Sequence, residues 1–369
     1  MKIEVSQADL IKAVNIVSKA VPVRTSMPIL ESILIDASGN DIKLIANNME
    51  LGIKTTVGGK IHEKGIVAID AKFLTDLVRK IPQNIVTIET DDSFHTTISC
   101  EKMVIKVMGK SGEDFPAIPA VSRNEPVVIS QLSLRDIIRQ TTFSLAQNDN
   151  NKMMTGELFD IHENVLKAVT LDGNRISIRF LELSGEAPDN RVVIPGKTLN
   201  EIAKILDGGA DDLINIFITD NHVIFEFETT TIVSRLIEGD YFQIEHMISN
   251  DYETKVTVNK QDFFNTIDRT TIMAKEGDKK PIVFRISDDN FNISIDSAYG
   301  SMNEDIDANK EGKDIIIGFN PKYLIDALKV IDDDEITMYM LNSKSPCIIR
   351  DEDNTYSYII LPINISSSI

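Results

Sequence analysis

Residues 67–81 read VAIDAKFLTDLVRKI, residues 192–206 read VVIPGKTLNEIAKIL, and residues 316–331 read IIGFNPKYLIDALKVI. Each stretch begins as an apolar strand, turns on Asp70, Pro195-Gly196 or Asn320-Pro321, and continues with the apolar spacing of an amphipathic helix. Lys72, Lys197 and Lys322 open these helices at intervals of 125 residues. A second basic residue follows seven positions later, at Arg79, Lys204 and Lys329. Three near-equal periods fill the 369 residues, so one unit is built three times.

The same comparison finds a second helix in each period. VSQADLIKAV starts at Val5, ISQLSLRDII at Ile129 and VNKQDFFNTI at Val258. Ser6, Ser130 and Asn259 are N-cap residues whose side chains can accept an orphan backbone N–H. Leu10 and Val14, Leu134 and Ile138, and Phe263 and Ile267 then repeat at helical spacing. Asn320 is the expected cap of the last helix, with Pro321 in the tolerated first turn. Most of the remainder alternates as short strands between Gly, Asn and Asp turns. The expectation is an α+β chain of three tandem repeats, each with two helices on one face of antiparallel sheet. Pro-rich FPAIPAVSRNEP and the segment EHMISNDYET place the domain limits at 1–122, 123–250 and 251–369.

At 42% apolar the chain can bury several ordinary cores, and no apolar run approaches the roughly 20 residues of a membrane helix. The N-terminus reads as strand then helix rather than as a signal peptide. Two distant cysteines, Cys100 and Cys347, suit a reducing compartment, so a cytoplasmic location is expected.

The net charge of −19 argues against nucleic acid until its distribution is read. The six expected helices (7–20, 72–81, 131–146, 197–206, 260–275 and 321–331) carry twice as many Lys and Arg as Asp and Glu. The strands and loops are therefore more acidic than the total. Lys12 and Lys19, like the three repeated pairs, are seven apart, and Arg135 and Arg139 are four apart, which returns each pair to one helix face. In 72–81 that face is not the apolar one, because Phe73, Leu74, Leu77 and Val78 must pack inward and leave Lys72, Arg79 and Lys80 outside. Any single helix with such residues could be an ordinary solvated one. The same placement in several helices, within an acidic chain, suits cations aimed at phosphates with few groups to read bases.

Catalytic patterns are lacking. There is no phosphate-binding G-x-x-x-x-G-K-[ST] loop, no G-x-G-x-x-G, no G-x-S-x-G, and no metal spacing among the five His. Acid pairs such as Asp91-Asp92, Asp211-Asp212 and Asp288-Asp289 fall at turns and read as solvated loops. No catalytic residue, metal or cofactor is expected.

With these observations the chain resembles the bacterial DNA polymerase III β subunit, the sliding clamp. RTSMPILESILI (24–35), GEDFP (112–116), FSLAQNDNNKMMTGELFD (143–160), AVTLDGNRISI (168–178), IGFNPKYLIDAL (317–328) and YIILPI (358–363) carry the resemblance from Met1 to about Ile365. It implies the DNA clamp fold and a head-to-tail homodimer that closes a six-domain ring around duplex DNA. The helices would line the hole, and the protein would act as a non-catalytic processivity factor. The DNA-facing set would be Arg24, Lys72, Arg79, Lys80, Arg135, Arg139, Asn148, Lys197, Lys204, Lys322 and Lys329. Ring closure would use an edge strand near Lys102–Met108, with Met103, Ile105 and Val107. Its partner would be the stretch around Ile272–Ile295, with Ile272 and Met273 as apolar contacts.

The resemblance also implies a groove between the second and third domains for short motifs of the replicative polymerase, clamp loader, repair polymerases and ligase-type proteins. Its lining would be Met154, Leu171, Asn174, Arg175, Ile176, Phe242, His246 and Met247. From the third domain it would take Asn320, Tyr323, Ile360, Leu361, Pro362 and Ile363. The chain departs from the family pattern T-D-G-H-R at Leu171 and Asn174, from a common Pro at Phe242, and from a basic residue at His246. It also runs on through Ser366 to Ile369. Two other classes fit parts of the same pattern. A different triplicated DNA-binding module would bind linear duplex tightly with a steep salt dependence. An acidic α+β enzyme would need a deep pocket of perturbed acids.

Overall fold

The structure is a computed structural model that describes residues 1–147, 151–248, 251–273 and 280–365. Asn148, the side chain of His246, residues 274–279 and the Ser366–Ile369 tail lie outside the described set.

The first repeat opens with β1 (Lys2–Ser6) and α1 (Gln7–Val17), followed by β2 (Ser32–Asp36), β3 (Ile42–Asn47), β4 (Leu51–Val57) and β5 (Gly59–Glu63). It continues through β6 (Ile66–Asp70), α2 (Ala71–Val78), β7 (Ile85–Thr90), β8 (His95–Cys100) and β9 (Met103–Met108). The second repeat holds β10 (Val127–Ser130), α3 (Gln131–Thr141), β11 (Gly156–His162), β12 (Val165–Leu171) and β13 (Arg175–Glu182). After these come β14 (Asn190–Pro195), α4 (Gly196–Ala203), β15 (Leu213–Ile218), β16 (His222–Phe227) and β17 (Thr230–Arg235). The third repeat holds β18 (Thr254–Asn259), α5 (Lys260–Thr271), β19 (Ile282–Ile286), β20 (Phe291–Ser297), β21 (Gly300–Ile306) and β22 (Asn309–Gly312). It ends with β23 (Ile315–Phe319), α6 (Pro321–Leu328), β24 (Glu335–Met340), β25 (Cys347–Arg350) and β26 (Tyr356–Ile360).

The helix starts follow the expected chemistry. The Asp9 N–H donates to Ser6 Oγ at 3.1 Å, the Ser133 N–H to Ser130 Oγ at 3.0 Å, and the Asp262 N–H to Asn259 Oδ1 at 3.0 Å. Asp70 caps α2 through the Phe73 N–H at 2.7 Å, and Asn320 caps α6 through the Lys322 N–H at 3.0 Å. The helices are a few residues shorter than their apolar periodicity suggested. Arg79 and Lys329 are therefore C-cap residues of α2 and α6, where a cation also complements the helix dipole.

The chain forms two compact units. One comprises Met1–Leu134, Ser184–Pro188 and Lys197–Leu236; the other comprises Arg135–Leu183, Asp189–Gly196 and Ile237–Ile369. In the first, an eight-stranded sheet runs β10-β15-β16-β17-β4-β3-β2-β6 and a five-stranded sheet runs β5-β1-β7-β8-β9. In the second, a nine-stranded sheet runs β14-β11-β12-β13-β26-β25-β24-β18-β22 and a four-stranded sheet runs β21-β20-β19-β23. The large sheets each cross a repeat boundary, at the antiparallel seams β4–β17 and β13–β26. A repeat in sequence is thus not a closed sheet in space: its end strands pair with those of the next repeat.

The helices cover the sheets with their apolar faces. In the first unit α1 buries Leu10 and Val14 while α2 buries Leu74, Leu77 and Val78. In the second, α5 and α6 bury Phe263, Ile267, Leu324 and Leu328. Phe284 sits among Phe263, Phe291 and Phe319 with ring centroids 5.2–5.7 Å apart, tilted or edge-on as aromatic quadrupoles prefer. Cys347 belongs to this core, and burial pushes its thiol up to about 12, so it is an inert thiol.

Candidate functional site

Three features stand out: exposed basic positions on the helices, two open sheet edges, and an apolar groove.

In the first unit Lys72, Arg79, Lys80, Lys197 and Lys204 are exposed, as is Arg24 in the loop before the Pro28–Glu31 turn. In the second unit Lys322, Arg139 and Lys329 are exposed and Arg135 is half-buried. Lys72, Lys197 and Lys322 hold equivalent first-turn positions of α2, α4 and α6. Among the described residues, no ion pair engages Lys72, Arg79, Lys80, Lys197, Lys322 or Lys329. Two others are already committed. Lys204 is held by Glu201 at 2.7 Å. Arg139 donates to Asp332 at 2.6 Å and to the Val330 carbonyl at 3.2 Å, beyond the end of α6. Spacing alone placed Arg139 with its neighbours; only the fold brings the 330–332 turn within its reach.

The five-stranded sheet ends at β9 and the four-stranded sheet ends at β21. On β9, Val104 and Met108 are each 61% exposed, while Met103, Ile105 and Val107 are half-buried. Ile272 is 78% exposed, and Met273 packs partly on the core. The expected interface stretch Ile272–Ile295 requires correction. Its strands β19 and β20 have partners on both sides, so the open backbone edge is β21. The charges on these edges are opposite. Lys102 and Lys106 are exposed on and beside β9, while β21 carries Glu304 and Asp305. The Arg269 guanidinium bound to Glu304 holds that carboxyl below its usual range, so it stays ionised.

The groove, about 300 Å³, lies wholly within the second unit. Of the residues named for a groove from the sequence, Met154, Leu171, Arg175, Ile176, Phe242, Met247 and Leu361 line it. Gly173, Gln243, Ile244, Pro346 and Ile359 line it as well. Ile359 stands opposite Ile176 across the β13–β26 seam. Ile360 is one residue on, so it points through the sheet into the aromatic core instead. Asn320, Tyr323, Pro362 and Ile363 are not among the lining residues, and the Asn320 side chain is spent on the α6 cap. Asn174 contributes through its backbone, where its carbonyl accepts the Leu361 N–H at 2.9 Å. Gly173 turns β12 into β13 at φ +84°, a conformation that favours glycine, while Asp172 Oδ1 accepts the next two N–H groups.

Arg175 is the hub beneath this wall. Its side chain is 8% exposed; Nε donates to Asp172 at 2.9 Å, Nη1 to Asp326 at 2.8 Å and Nη2 to the Phe143 carbonyl at 2.6 Å. Its guanidinium also lies 4.7 Å from the Tyr323 ring centroid and 5.4 Å from that of Phe143. Arg175 thus ties the groove-forming hairpin to α6 and to the segment after α3. Tyr323 and Arg175, both expected in the groove lining, meet each other, and of the two Arg175 lines the groove.

Comparison with known proteins completes the picture. The family descriptions for the N-terminal, central and C-terminal domains of the DNA polymerase III beta subunit match residues 1–119, 128–243 and 245–364. A beta sliding clamp of Staphylococcus epidermidis is 32% identical, covering 98% of this chain and 99% of its own length. The crystal structure of a DNA polymerase III beta subunit from Eubacterium rectale superposes with a TM-score of 0.96 at 59% identity, covering 99% of this chain and 100% of the other. The DNA polymerase sliding clamp of Bacillus subtilis superposes with a TM-score of 0.95 at 30% identity and 99% coverage of both chains. The chain belongs to the DNA polymerase III β-subunit family, the sliding clamps.

Proposed function

We propose that the protein is a DNA sliding clamp and processivity factor that closes a ring by pairing β9 of one copy with β21 of another. Family membership removes both rival readings, the enzyme and the unrelated DNA-binding module. The observation that carries the ring is the pattern of seams. Strands β4, β13 and β21 start at Leu51, Arg175 and Gly300, and strands β9, β17 and β26 start at Met103, Thr230 and Tyr356. These are two sets of repeat-equivalent strands. The seams β4–β17 and β13–β26 each join one member of the first set to one of the second. The members left over are β21 and β9. A heterologous contact of this kind forms a ring when its rotation closes.

In this reading domains 1–122, 123–250 and 251–369 supply the six domains of the dimer. Arg24, Lys72, Arg79, Lys80, Arg135, Lys197, Lys204, Lys322 and Lys329 face duplex DNA without reading its bases. Arg139 serves chiefly as a brace. The groove takes short apolar motifs of the replicative polymerase, clamp loader and repair proteins, with Met154, Leu171, Phe242, Met247 and Leu361 as its adaptable apolar wall.

The deciding experiment compares retention on nicked circular DNA with retention on the same DNA linearised, after loading. A clamp stays on the circle and slides off the ends. Equal retention on both forms would mean that the protein grips DNA rather than encircles it.

Ring closure has its own test. Sedimentation at micromolar concentration should give about twice 41.2 kDa. Lys102→Glu with Lys106→Glu should weaken the dimer by about tenfold or more through like-charge opposition to β21. Adding Asp305→Lys should restore part of the loss. A dimer indifferent to both changes would place the interface elsewhere.

A further inference from the structure

Glu157, on β11, is completely buried, and no cation among the described residues pairs with it. Its Oε1 lies 2.6 Å from the hydroxyl of Thr141, while its Oε2 has no hydrogen-bond partner among the described residues. Thr141 is the last residue of α3, and its hydroxyl is also 2.7 Å from the carbonyl oxygen of Ile137. A threonine hydroxyl owns one proton, and a carbonyl can only accept. Two oxygens 2.7 Å apart repel unless a proton lies between them, so the Thr141 proton points to Ile137. The contact to Glu157 then needs a second proton, and only the carboxyl can bring it.

The surroundings agree. Loss of hydration pushes the Glu157 carboxyl up to about 8, from an ordinary 4.5. Tyr241 is the other titratable group facing it among the described residues. Burial raises that phenol too, so it keeps its proton and donates to the Val169 carbonyl at 3.2 Å. Ile194 is the cross-strand neighbour on β14 and carries no charge. An ionised Glu157 would have no donor for Oε2 among the described residues.

The position of this carboxyl gives it a task. The end of α3 with the segment after it, and the start of β11 with the segment before it, are joined twice: by Thr141 to Glu157, and by the Ala146 N–H to the Met154 carbonyl at 2.9 Å. Met154 lines the groove, and Met153 packs in the core beneath it. We propose that Glu157 is a neutral carboxylic acid whose O–H bond to Thr141 latches the Met153–Met154 wall of the groove to the end of α3, and that loss of this proton loosens the wall, because the Thr141 hydroxyl must then turn from the Ile137 carbonyl to the carboxylate and leave that carbonyl and Oε2 unpaired. Glu157 is a positioning residue in this scheme and touches no ligand. The use of the groove as a docking site rests on the function proposed above; the proton and the latch do not.

Infrared difference spectra of the full-length protein, titrated from about pH 6 to about pH 9.5, read the proton directly. The wild type should show a protonated-carboxyl band that disappears with a midpoint near 8 and is missing from Glu157→Gln. Glutamine supplies an N–H to Thr141 without titrating, so it keeps the latch at every pH. Hydrogen exchange at the Met154 and Glu157 amides should therefore accelerate beyond its intrinsic pH dependence in the wild type and not in the variant. Thr141→Val should keep the acid protonated but move its band towards that of an unbonded acid.

Folding equilibria provide the sign. The folded state holds a proton that the unfolded chain gives up between about 4.5 and about 8, so rising pH across that window favours unfolding by up to tenfold per unit relative to Glu157→Gln. Above it the difference levels off. No band distinguishing wild type from Glu157→Gln would overturn the protonated acid. A band with equal exchange profiles in both proteins would overturn the latch. A groove that binds no motif would leave both readouts unchanged, and so would fail the docking reading alone.

Discussion

Arg175→Ala should lower the unfolding free energy of the unit that carries it by about 3–5 kcal/mol and abolish binding of motif peptides to the groove. The size follows from what stays behind. Asp172 and Asp326 have side chains only 14% and 23% exposed, and both lose the guanidinium that compensates them. The Phe143 carbonyl loses a donor at 2.6 Å, and the Tyr323 ring loses its stacked cation. Arg175→Lys should recover little, because an ammonium cannot reach three acceptors in a plane and stack on a ring together. Denaturant unfolding followed in parallel with peptide titration checks both halves. If peptide binding failed with stability intact, Arg175 would be a ligand contact rather than a hub.

Reversing four charges, Lys72→Glu, Arg79→Glu, Lys197→Glu and Lys204→Glu, should eliminate retention on circular DNA at moderate salt. It should also flatten the salt dependence of DNA binding by up to about 0.9 in log–log slope for each phosphate that is no longer neutralised. All four residues are exposed, and among the described residues only Lys204 of the four has an ion-pair partner, Glu201. The folded state should therefore be nearly unaffected, with a cost of about 0.5 kcal/mol where the carboxylate of Lys204→Glu faces Glu201 one turn away. Unchanged unfolding alongside lost retention supports the basic layer as the DNA-facing surface. Unchanged retention would place that surface elsewhere.

How far the sequence reached depended on the range of the interactions involved. The six helices, the caps at Ser6, Ser130, Asn259 and Asn320, and the outward placement of Lys72, Lys197 and Lys322 are decided within one or two turns of chain. Local periodicity and side-chain chemistry sufficed for them. Of the groove residues carried over from the family by position, Met154, Leu171, Arg175, Ile176, Phe242, Met247 and Leu361 lie on the pocket. Asn320, Tyr323, Pro362 and Ile363 lie off it, as does Ile360, where one step along a strand reverses the side of the sheet. Ile359 was within reach, since Leu361 two residues on points the same way.

By itself, the sequence determined three copies of one unit, the type and position of the helices, and a cation at the first turn of the second helix in each copy. Only the tertiary structure decided that sheets run across repeat boundaries, that β21 rather than β19 or β20 is the open edge, and that Arg139 and Arg175 brace protein. It alone also buried Glu157 away from any cation among the described residues. The seams and the two braces depend on partners far apart in the chain: 175 residues from Thr55 to Thr230, 151 from Arg175 to Asp326. Alternation along a strand says which face a residue occupies, but not which strand lies beside it. That choice is made by backbone pairing and burial once the chain has closed on itself.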